Sequence, residues 1–529
     1  MTGRLAALAS GPPLDAVIIG GGINGCAIAR ELSLRGARVA LFEQDDFGFG
    51  TTWRSTKLIH GGLRYLEHGD VRLVFESLRE RAWLLQTRPH LVQPLRFLLP
   101  ILPWTRRPRW QLGIGLTLYD VLALYREVPG HRRLSDGRLH ELSPGLSPET
   151  RGGFSYFDAR AVAPERLALE LALEAQDAGA AILNHARVAR IHAVAGRVAA
   201  VEVEHGGARV FVPTRQVFNA AGPWVDAVNA LTGGGVEPLL GVTRGTHILL
   251  DLDRPAGRDA IFTTAKRDGR VFFAVPQGGH LLNIGTTDDR YDGDPGAVRP
   301  TSADVDYLLA EAQTLLPGLA LRREQVRYAY TGLRPLRRLK GGPEAAISRR
   351  HEVIDQGNAG GPKGLFSIIG GKLSTFRPLA NETAARAGFR GAVSSPEPPS
   401  QAWRETLKSA GLPEVSTRHL RKYGPAIPAI LAAGDEVISA TGAVRGEVEH
   451  AVRVELATTL SDVMLRRTGI AWGPQRGLDC HQVVASIAGD ILGWDHTERA
   501  RQVAAFEADV AHHLPLPDAL AGEPHASAK

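Results

Sequence analysis

Cysteine is scarce in this sequence, and the two residues present lie far apart. Cys26 and Cys480 match neither a CxxC pair nor the ligand spacing of a zinc site. We therefore expect no disulfide scaffold and no metal centre. So low a cysteine content suits a reducing compartment, which favours a cytoplasmic protein.

Long apolar runs are also lacking. No stretch reaches the roughly 18 uninterrupted apolar residues of a spanning helix. The apolar part of residues 4–10 is too short for a typical secretory leader, and residues 1–13 are expected to form a loose tail. The net charge of +6 is small for 529 residues. It permits a nucleic-acid, anionic-lipid or phosphorylated-substrate partner but selects none of them. We predict no nucleic-acid partner.

What the sequence does contain is the pattern of a dinucleotide-binding βαβ unit. Its parts follow in order: an apolar run at 16–19, Gly20-x-Gly22-x-x-Gly25, a helical pattern at 26–35, and a second apolar run at 39–42 that ends in Glu43. Such glycines permit a tight turn, close approach of a pyrophosphate and close helix packing. The helix N-terminus attracts phosphates, and the terminal acid accepts hydrogen bonds from a ribose.

The following stretch, residues 44–67, crowds hydroxyl groups, a lysine, a histidine and paired glycines between apolar residues. This composition suits a loop that contacts a pyrophosphate and a flavin ring. Together with the glycine motif, Ser55-Thr-Lys-Leu-Ile-His-Gly-Gly-Leu-Arg-Tyr-Leu-Glu67 resembles the N-terminal signature of the FAD-dependent glycerol-3-phosphate dehydrogenases. The resemblance extends over residues 15–495.

The resemblance implies an α/β fold: a Rossmann-like FAD domain of the glutathione-reductase/D-amino-acid-oxidase type, an antiparallel-sheet substrate domain and a C-terminal helical domain. The family oxidises sn-glycerol 3-phosphate to dihydroxyacetone phosphate, with a hydride passing to flavin N5 and electrons to a quinone. In this chain we expect FAD segments at 14–90, 155–225 and 345–395, substrate segments at 91–154 and 226–344, and the helical domain at 396–529.

By the same resemblance, the FAD contacts come from short segments spread along the chain. They are Gly20, Gly22, Asn24, Gly25, Glu43, Thr52, Ser55, Thr56, Lys57, His60, Val188, Ala221, Gly222, Trp224, Gly371, Lys372, Leu373 and Ser374. Val188 would clasp the adenine through backbone atoms. The turn at 221–224 would pass beside the FAD phosphates.

The resemblance also assigns the substrate contacts. Arg64, Tyr65 and Arg349 would bind the phosphate, while Arg334, His247 and Lys372 would lie nearer the carbinol. A planar guanidinium suits a phosphate better than a lysine does.

Two of these side chains receive chemical roles. Gly332 and Pro335 are expected to fix a turn around Arg334, which would stabilise the developing alkoxide. His247 is our preferred general base, since a neutral imidazole operates near pH 7. A simple hydrogen-bonding role for His247 stays open.

The segment 91–125 allows two interpretations. Its leucine, proline and tryptophan residues beside clustered arginines are typical of an interfacial membrane anchor. The same residues fit a core strand followed by a helix packed on the substrate domain. Respiratory members of the family sit on the cytoplasmic membrane face, which favours peripheral contact with an anionic membrane. We also consider a homodimer.

Three alternative functions remain open at this stage. An oxidase would use O₂ on the same substrate, and a flavoprotein of the same fold would oxidise another hydroxy acid or amine. A non-catalytic nucleotide-binding protein is the third. In the C-terminal part, helices are expected at 418–433, 446–465 and 480–492, with His450 and His481 in packing or surface roles.

Overall fold

The computed structural model describes residues 2–124, 127–338, 350–391, 393 and 398–520. The strands are β1 Ala16–Ile19, β2 Val39–Phe42, β3 Leu58–Ile59, β4 Val92–Pro100, β5 Arg132–Leu134, β6 Gly153–Ala161, β7 Ala181–Leu183, β8 Arg187–Val194, β9 Arg197–His205, β10 Ala208–Pro213, β11 Val217–Asn219, β12 Leu240–Asp251, β13 Ala260–Thr264, β14 Val271–Gly278, β15 Leu281–Gly285, β16 Asp289–Arg290, β17 Val326–Arg337, β18 Glu352–Asp355 and β19 Leu365–Ile369.

The helices cover the sheets and form the C-terminal part. They are α1 Thr2–Ser10, α2 Ile23–Leu34, α3 Val71–Thr87, α4 Arg109–Leu122, α5 Asp136–Leu142, α6 Pro164–Asp177, α7 Val225–Ala230, α8 Ser302–Leu315, α9 Phe376–Arg386, α10 Trp403–Ser409, α11 Glu414–Leu420, α12 Ile427–Ala433, α13 Arg445–Arg453, α14 His481–Leu492 and α15 His496–His513. A π-helical turn spans Asp462–Arg467.

The first sheet has the order β18-β19-β11-β1-β2-β7, in which all neighbours except β18 and β19 are parallel. Every residue of β1 and β2 is buried. Apolar residues of α2, α6 and α9 pack on one face. The three-stranded meander β8-β9-β10 packs on the other. Layers on both faces explain why these strands are continuously apolar.

The second sheet is mixed and has ten strands, ordered β16-β12-β15-β14-β13-β4-β6-β3, with β17 paired to β12 and β5 to β6. Helix α8 covers one face through a buried aliphatic cluster. The long pair β12 and β17 sets His247 opposite Tyr330 and Thr243 opposite Arg334. Arg334 therefore lies within a paired strand, and the expected turn around it is wrong. Pro335 is tolerated in that strand.

The segment 91–125 divides at its middle. Residues 92–100 form β4, which pairs with β13 and β6 inside the second sheet, so the anchor interpretation is wrong for this half. Helix α4 follows, with several apolar side chains exposed. Among the described residues, no helix combines the length and apolar character needed to cross a bilayer.

The N-terminal and C-terminal regions correct two further expectations. Residues 2–10 form helix α1 instead of a loose tail, and Leu5 is buried against the meander. The expected helix 446–465 ends at Arg453, since the chain then runs irregularly before the π-helical turn. Helix α15, which was not predicted, packs Phe506 and Val510 into the C-terminal core.

Candidate active site

A cleft runs across the carboxyl ends of the parallel strands, where doubly wound sheets bind ligands. It is lined by Ile19, Gly20, Gly22, Ile23, Asn24, Phe42, Glu43, Gln44, Phe49, Gly50, Thr51, Thr52, Ser55, Ala186, Arg187, Val188, Ala220, Ala221, Gly222, Pro223, Trp224, Val228, Pro335, Gly370, Gly371, Lys372 and Leu373. The sequence predicted many of these residues as cofactor contacts. Five predicted contacts lie off the lining: Gly25, Thr56, Lys57, His60 and Ser374.

The turn between β1 and α2 is formed by close backbone contacts. A Cβ on Gly25 would lie 1.9 Å from the carbonyl oxygen of Gly20, so only glycine fits there. A Cβ on Gly22 would meet only the Thr52 hydroxyl, at 3.5 Å, so its other side is open. Thr52 Oγ1 accepts the amide hydrogen of Ile23 at 3.1 Å. The turn thus leaves room beside the helix N-terminus for a phosphate.

Glu43, at the end of β2, closes one side of the cleft. Its carboxylate accepts the amide hydrogens of Gly21 at 2.6 Å and Asp45 at 2.9 Å. Burial raises the pKa of Glu43 to about 7, and the two amides partly oppose that shift. A buried carboxyl of this kind is well placed to bind vicinal hydroxyl groups.

The cleft residues fit an FAD. Asn24 donates to the carbonyl oxygen of Gly370 at 3.2 Å, while its own Oδ1 is buried and has no hydrogen-bond partner in the described part of the chain. A buried amide oxygen of this kind needs a donor. With the open face of Gly22 and the acid Glu43, the cleft offers separate groups for phosphate, hydroxyls and a polar ring.

Arg334 and His247 lie on the neighbouring strands β17 and β12. Neither lines the cleft, but the residue that follows Arg334 does. The Arg334 guanidinium donates to Asp288 Oδ1 at 2.9 Å and to Thr286 Oγ1 at 3.0 Å. A Cβ on Gly245 would come within 2.1 Å of Arg334 Nη2, so the glycine makes room for the guanidinium. These contacts fix the orientation of the Arg334 guanidinium.

His247 is buried against Tyr330, with stacked rings 5.0 Å apart and an interplanar angle of 6°. Its Nε2 lies 2.9 Å from Thr56 Oγ1, and its Nδ1 is buried without a partner among the described residues. Burial, together with the charges of Arg334 and Lys57, lowers the pKa of His247 to about 3. The imidazole is consequently neutral at pH 7.

Lys372 and Tyr65 form a second polar group at the edge of the cleft. Lys372 Nζ lies 4.0 Å from the centre of the Tyr65 ring and donates to Ser77 Oγ at 3.1 Å. Arg64 is half-buried next to Tyr65 in the 3₁₀ turn Leu63–His68. Arg349 lies outside the described residues, so its predicted place at the phosphate stays a prediction.

The five predicted residues off the lining have other positions. Lys57 Nζ lies 3.7 Å from the centre of the Trp472 ring, and Thr56 contacts His247. The His60 ring lies 6.5 Å from that of Phe273. Gly25 packs in the βα turn, and Ser374 is buried in the 3₁₀ turn Leu373–Thr375. For these residues, direct contact with FAD stays a prediction.

Sequence reasoning missed the buried ions beneath the site. Asp158 accepts hydrogen bonds from Arg81 at 2.6 Å, Tyr119 at 2.8 Å and the amide of Gly61 at 3.3 Å. This network holds the loop of Gly61 that leads to Tyr65. A lone carboxylate within the otherwise mostly apolar β6 was the only available signal.

Comparison with known proteins agrees with this geometry. Residues 15–375 match the model of the "FAD dependent oxidoreductase" family, and residues 384–499 match that of the "C-terminal domain of alpha-glycerophosphate oxidase". A glycerol-3-phosphate dehydrogenase of Synechocystis is 36% identical over 93% of this chain and 95% of its own length. This chain belongs to the FAD-dependent glycerol-3-phosphate dehydrogenase family. FAD is its cofactor, as the resemblance implied.

Other relatives support the same family membership. A glycerol-3-phosphate dehydrogenase of Mycobacterium leprae is 33% identical to the present protein. The alignment covers 94% of the present chain and 88% of the Mycobacterium leprae protein. The crystal structure of a glycerol-3-phosphate dehydrogenase from Bacillus halodurans, solved with FAD, superposes with a TM-score of 0.78 at 25% identity over 97% of each chain. These matches confirm the predicted fold class.

Proposed function

We propose that this protein oxidises sn-glycerol 3-phosphate to dihydroxyacetone phosphate with FAD and passes the electrons to a quinone. The observation that carries the proposal is the placement of Arg334 and His247 beside an FAD cleft in a chain 36% identical to a glycerol-3-phosphate dehydrogenase. Such a substrate needs cations for its phosphate and a stabilised oxygen at C2, and this site offers both.

The oxidation removes a hydride from C2 of the substrate and a proton from its hydroxyl group. When bound, FAD supplies the hydride acceptor. Arg334 would donate hydrogen bonds to the substrate oxygen as negative charge develops there. Because Asp288 and Thr286 already orient its guanidinium, little reorganisation is needed during the reaction.

His247 is the proposed acceptor of the hydroxyl proton. The neutral ring carries a buried nitrogen, Nδ1, that has no partner in the described structure. Nε2 can donate to Thr56 Oγ1, which would fix the tautomer that leaves Nδ1 ready to accept. Proton transfer to Nδ1 would place positive charge near Arg334. The negative charge of the substrate oxygen would offset it until loss of the hydride from C2 leaves a neutral carbonyl group.

Arg64, Tyr65 and Arg349 are the proposed phosphate contacts. Lys372, which lies against Tyr65 and lines the cleft, would add positive charge to this group. The cation–ring contact of Lys372 with Tyr65 supports this grouping. A dianionic phosphate held by several cations would supply binding energy that orients C2.

The domain division follows the same assignment. We propose that the FAD domain combines 14–90, 155–225 and 345–395, that the substrate domain combines 91–154 and 226–344, and that 396–529 forms the helical domain. The first sheet supports this division, because all its strands lie in the FAD segments, and one buried apolar cluster lies wholly within residues 403–444. Strand β3 and most of β6 depart from it, since they belong to the second sheet but fall in FAD segments.

A quinone acceptor would place the protein at the cytoplasmic face of the cell membrane. Helix α4 supports this location, because Trp110, Ile114 and Val121 expose 68%, 62% and 48% of their surface. Arginines 106, 107 and 109 precede or begin the same helix and are exposed. Aromatic and aliphatic side chains beside arginines suit an interface with anionic lipid. A homodimer stays a prediction.

An oxidase using O₂ is the second candidate. The match of residues 384–499 to the C-terminal domain of an alpha-glycerophosphate oxidase favours it. Steady-state rates with a soluble quinone analogue and with O₂ distinguish the two candidates. We expect glycerol 3-phosphate to be consumed at least tenfold faster with the quinone analogue. Faster consumption with O₂ and stoichiometric hydrogen peroxide would contradict the dehydrogenase assignment.

A further inference from the structure

The loop that follows Glu43 is held by the C-terminal domain. Asp46 is completely buried, and its two oxygens accept hydrogen bonds from Arg467 Nη1 at 2.6 Å and Nη2 at 2.8 Å. Arg466 Nε donates to the same carboxylate at 3.1 Å. Two guanidinium groups from residues more than four hundred positions away therefore fix this loop.

The two arginines belong to the π-helical turn Asp462–Arg467. Such turns are rare and occur frequently at functional sites. Asp462, at the start of the turn, lies 2.9 Å from His185 Nε2, and the His185 amide donates to the Asp45 carbonyl oxygen at 2.8 Å. The turn thus contacts two chain segments beside the end of β2: the loop that contains Asp46 and the segment that contains His185.

The carboxylates of this ionic cluster already accept hydrogen bonds, which argues against a metal site there. Ligand-type atoms of Asp46, His185 and Asp462 lie within 4.8 Å of one another. Asp46 already accepts hydrogen bonds from both arginines, and Asp462 accepts the amide hydrogens of Thr458 and Thr459. The cluster is therefore an ionic contact between domains.

Glu43 is hydrogen-bonded to both of these segments. Its Oε1 accepts the Asp45 amide at 2.9 Å, and its carbonyl oxygen accepts the Ala186 amide at 2.7 Å. A displacement of the loop at Asp45 and Asp46 would move the Glu43 carboxylate relative to the cleft.

We infer that Asp46 and Arg467 are positioning residues for FAD: docking of the C-terminal π-helical turn sets the Glu43 carboxylate against the ribose and so slows FAD release. The inference rests on the proposed role of Glu43 as the ribose contact. It gives the C-terminal domain a part in cofactor retention in addition to its packing.

The test is the rate of FAD release from the holoenzyme, followed by flavin fluorescence after dilution. Arg467→Lys keeps the charge but loses the paired hydrogen bonds. We expect roughly tenfold faster release, the size of one lost charge-assisted hydrogen bond. The kcat at saturating FAD should stay within twofold of the parent.

A matched control distinguishes positioning of Glu43 from a general loss of contact between the domains. Arg166 on α6 makes an equally buried two-point contact with Glu455 of the C-terminal domain, and it does not line the cleft. Arg166→Lys should leave FAD release within twofold of the parent. Equal acceleration by both substitutions would overturn the inference, because the contacts would then only hold the domains together.

Glu43→Gln completes the test. If Arg467 acts through Glu43, Arg467→Lys should accelerate release little further in the Glu43→Gln background. Full additivity would overturn the inference while leaving the proposed function intact. If Glu43→Gln alone leaves release unchanged, the ribose assignment itself fails. Asp46→Asn replaces Arg467→Lys if that variant does not fold, with the same expected result.

Discussion

Arg334 is the residue on which the proposed chemistry depends most. Its guanidinium is oriented by Asp288 and Thr286, and Arg334 is not among the residues that line the FAD cleft. We predict that Arg334→Ala lowers kcat by about 10²–10³, as expected for loss of a preorganised donor to a developing oxyanion. FAD content should stay that of the parent.

Arg327→Ala is the matched control for Arg334→Ala. Arg327 lies on the same strand, is exposed and pairs with Asp251. It should leave kcat within twofold of the parent. A normal kcat for Arg334→Ala would exclude Arg334 from alkoxide stabilisation.

His247 makes a distinct prediction about pH. Because burial and neighbouring cations hold its pKa at about 3, the imidazole is already neutral at pH 5. The kcat at saturating substrate should show no His247 ionisation near pH 6.5 between pH 5 and 8. His247→Asn should lower kcat by about 10²–10⁴, as for other general bases. An acidic limb near pH 6.5 that disappears in His247→Asn would contradict this environment.

At the residue scale, local motifs predicted the cleft better than they predicted its supports. Glu43 and Asn24 belong to a continuous glycine motif, so their positions follow from a short stretch of sequence. The pairs Arg81–Asp158 and Arg467–Asp46 join residues far apart in the chain, and no local pattern predicts which residues pair. Only the tertiary fold brings such charges together.

The end of strand β2 carries a prediction at the element scale. The folded, FAD-free protein holds the pKa of Glu43 at about 7, above its ordinary value near 4.5. Stability from this group is therefore fully present below about pH 4.5 and is lost as the pH rises through 7. The Glu43→Gln variant does not lose stability in this way, because the glutamine side chain does not ionise.

The FAD-free Glu43→Gln variant should consequently be more stable than the FAD-free parent at pH 8, by roughly 1–2 kcal/mol after allowance for a weaker acceptor. The difference should shrink toward pH 5. Thermal midpoints of the two proteins at both pH values measure it. A difference independent of pH would show that the carboxyl is not buried in this way.

Helix α4 carries the membrane prediction. Replacing Trp110 and Ile114 with serine removes exposed apolar surface without touching the core. We expect roughly tenfold weaker binding to anionic vesicles in a sedimentation assay, with unchanged kcat on a soluble acceptor. Phe211→Ser, at an exposed position of the meander, is the control and should bind as the parent does. Equal binding by all three proteins would exclude α4 as the lipid contact.

Element boundaries show where sequence patterns lose information. The apolar run at 92–100 is compatible with a membrane contact or a buried strand, and only its pairing with β13 and β6 decides. Arg334 was expected in a turn because glycine and proline flank it. The pairing of the two twelve-residue strands β12 and β17 overrides that local preference.

At the scale of the whole molecule, the two sheets and the C-terminal helices meet around one site. Three aromatic residues, Trp53, Tyr330 and Trp472, join the C-terminal domain to the region of His247. The ring centre of Trp472 lies 4.7 Å from that of Trp53 and 5.8 Å from that of Tyr330. Family membership follows from motifs distributed over most of the chain. The arrangement of domains around the cleft required the structure, because it depends on contacts between distant segments.

The central claim is that sn-glycerol 3-phosphate delivers a hydride to the FAD in this cleft. Anaerobic mixing of the purified holoenzyme with that substrate, followed through the visible flavin absorbance, tests it directly. We predict rapid and complete bleaching with sn-glycerol 3-phosphate, and none with glycerol or an amino acid at the same concentration. A flavin that stays oxidised with glycerol 3-phosphate, or that bleaches equally with the other compounds, would contradict the assignment.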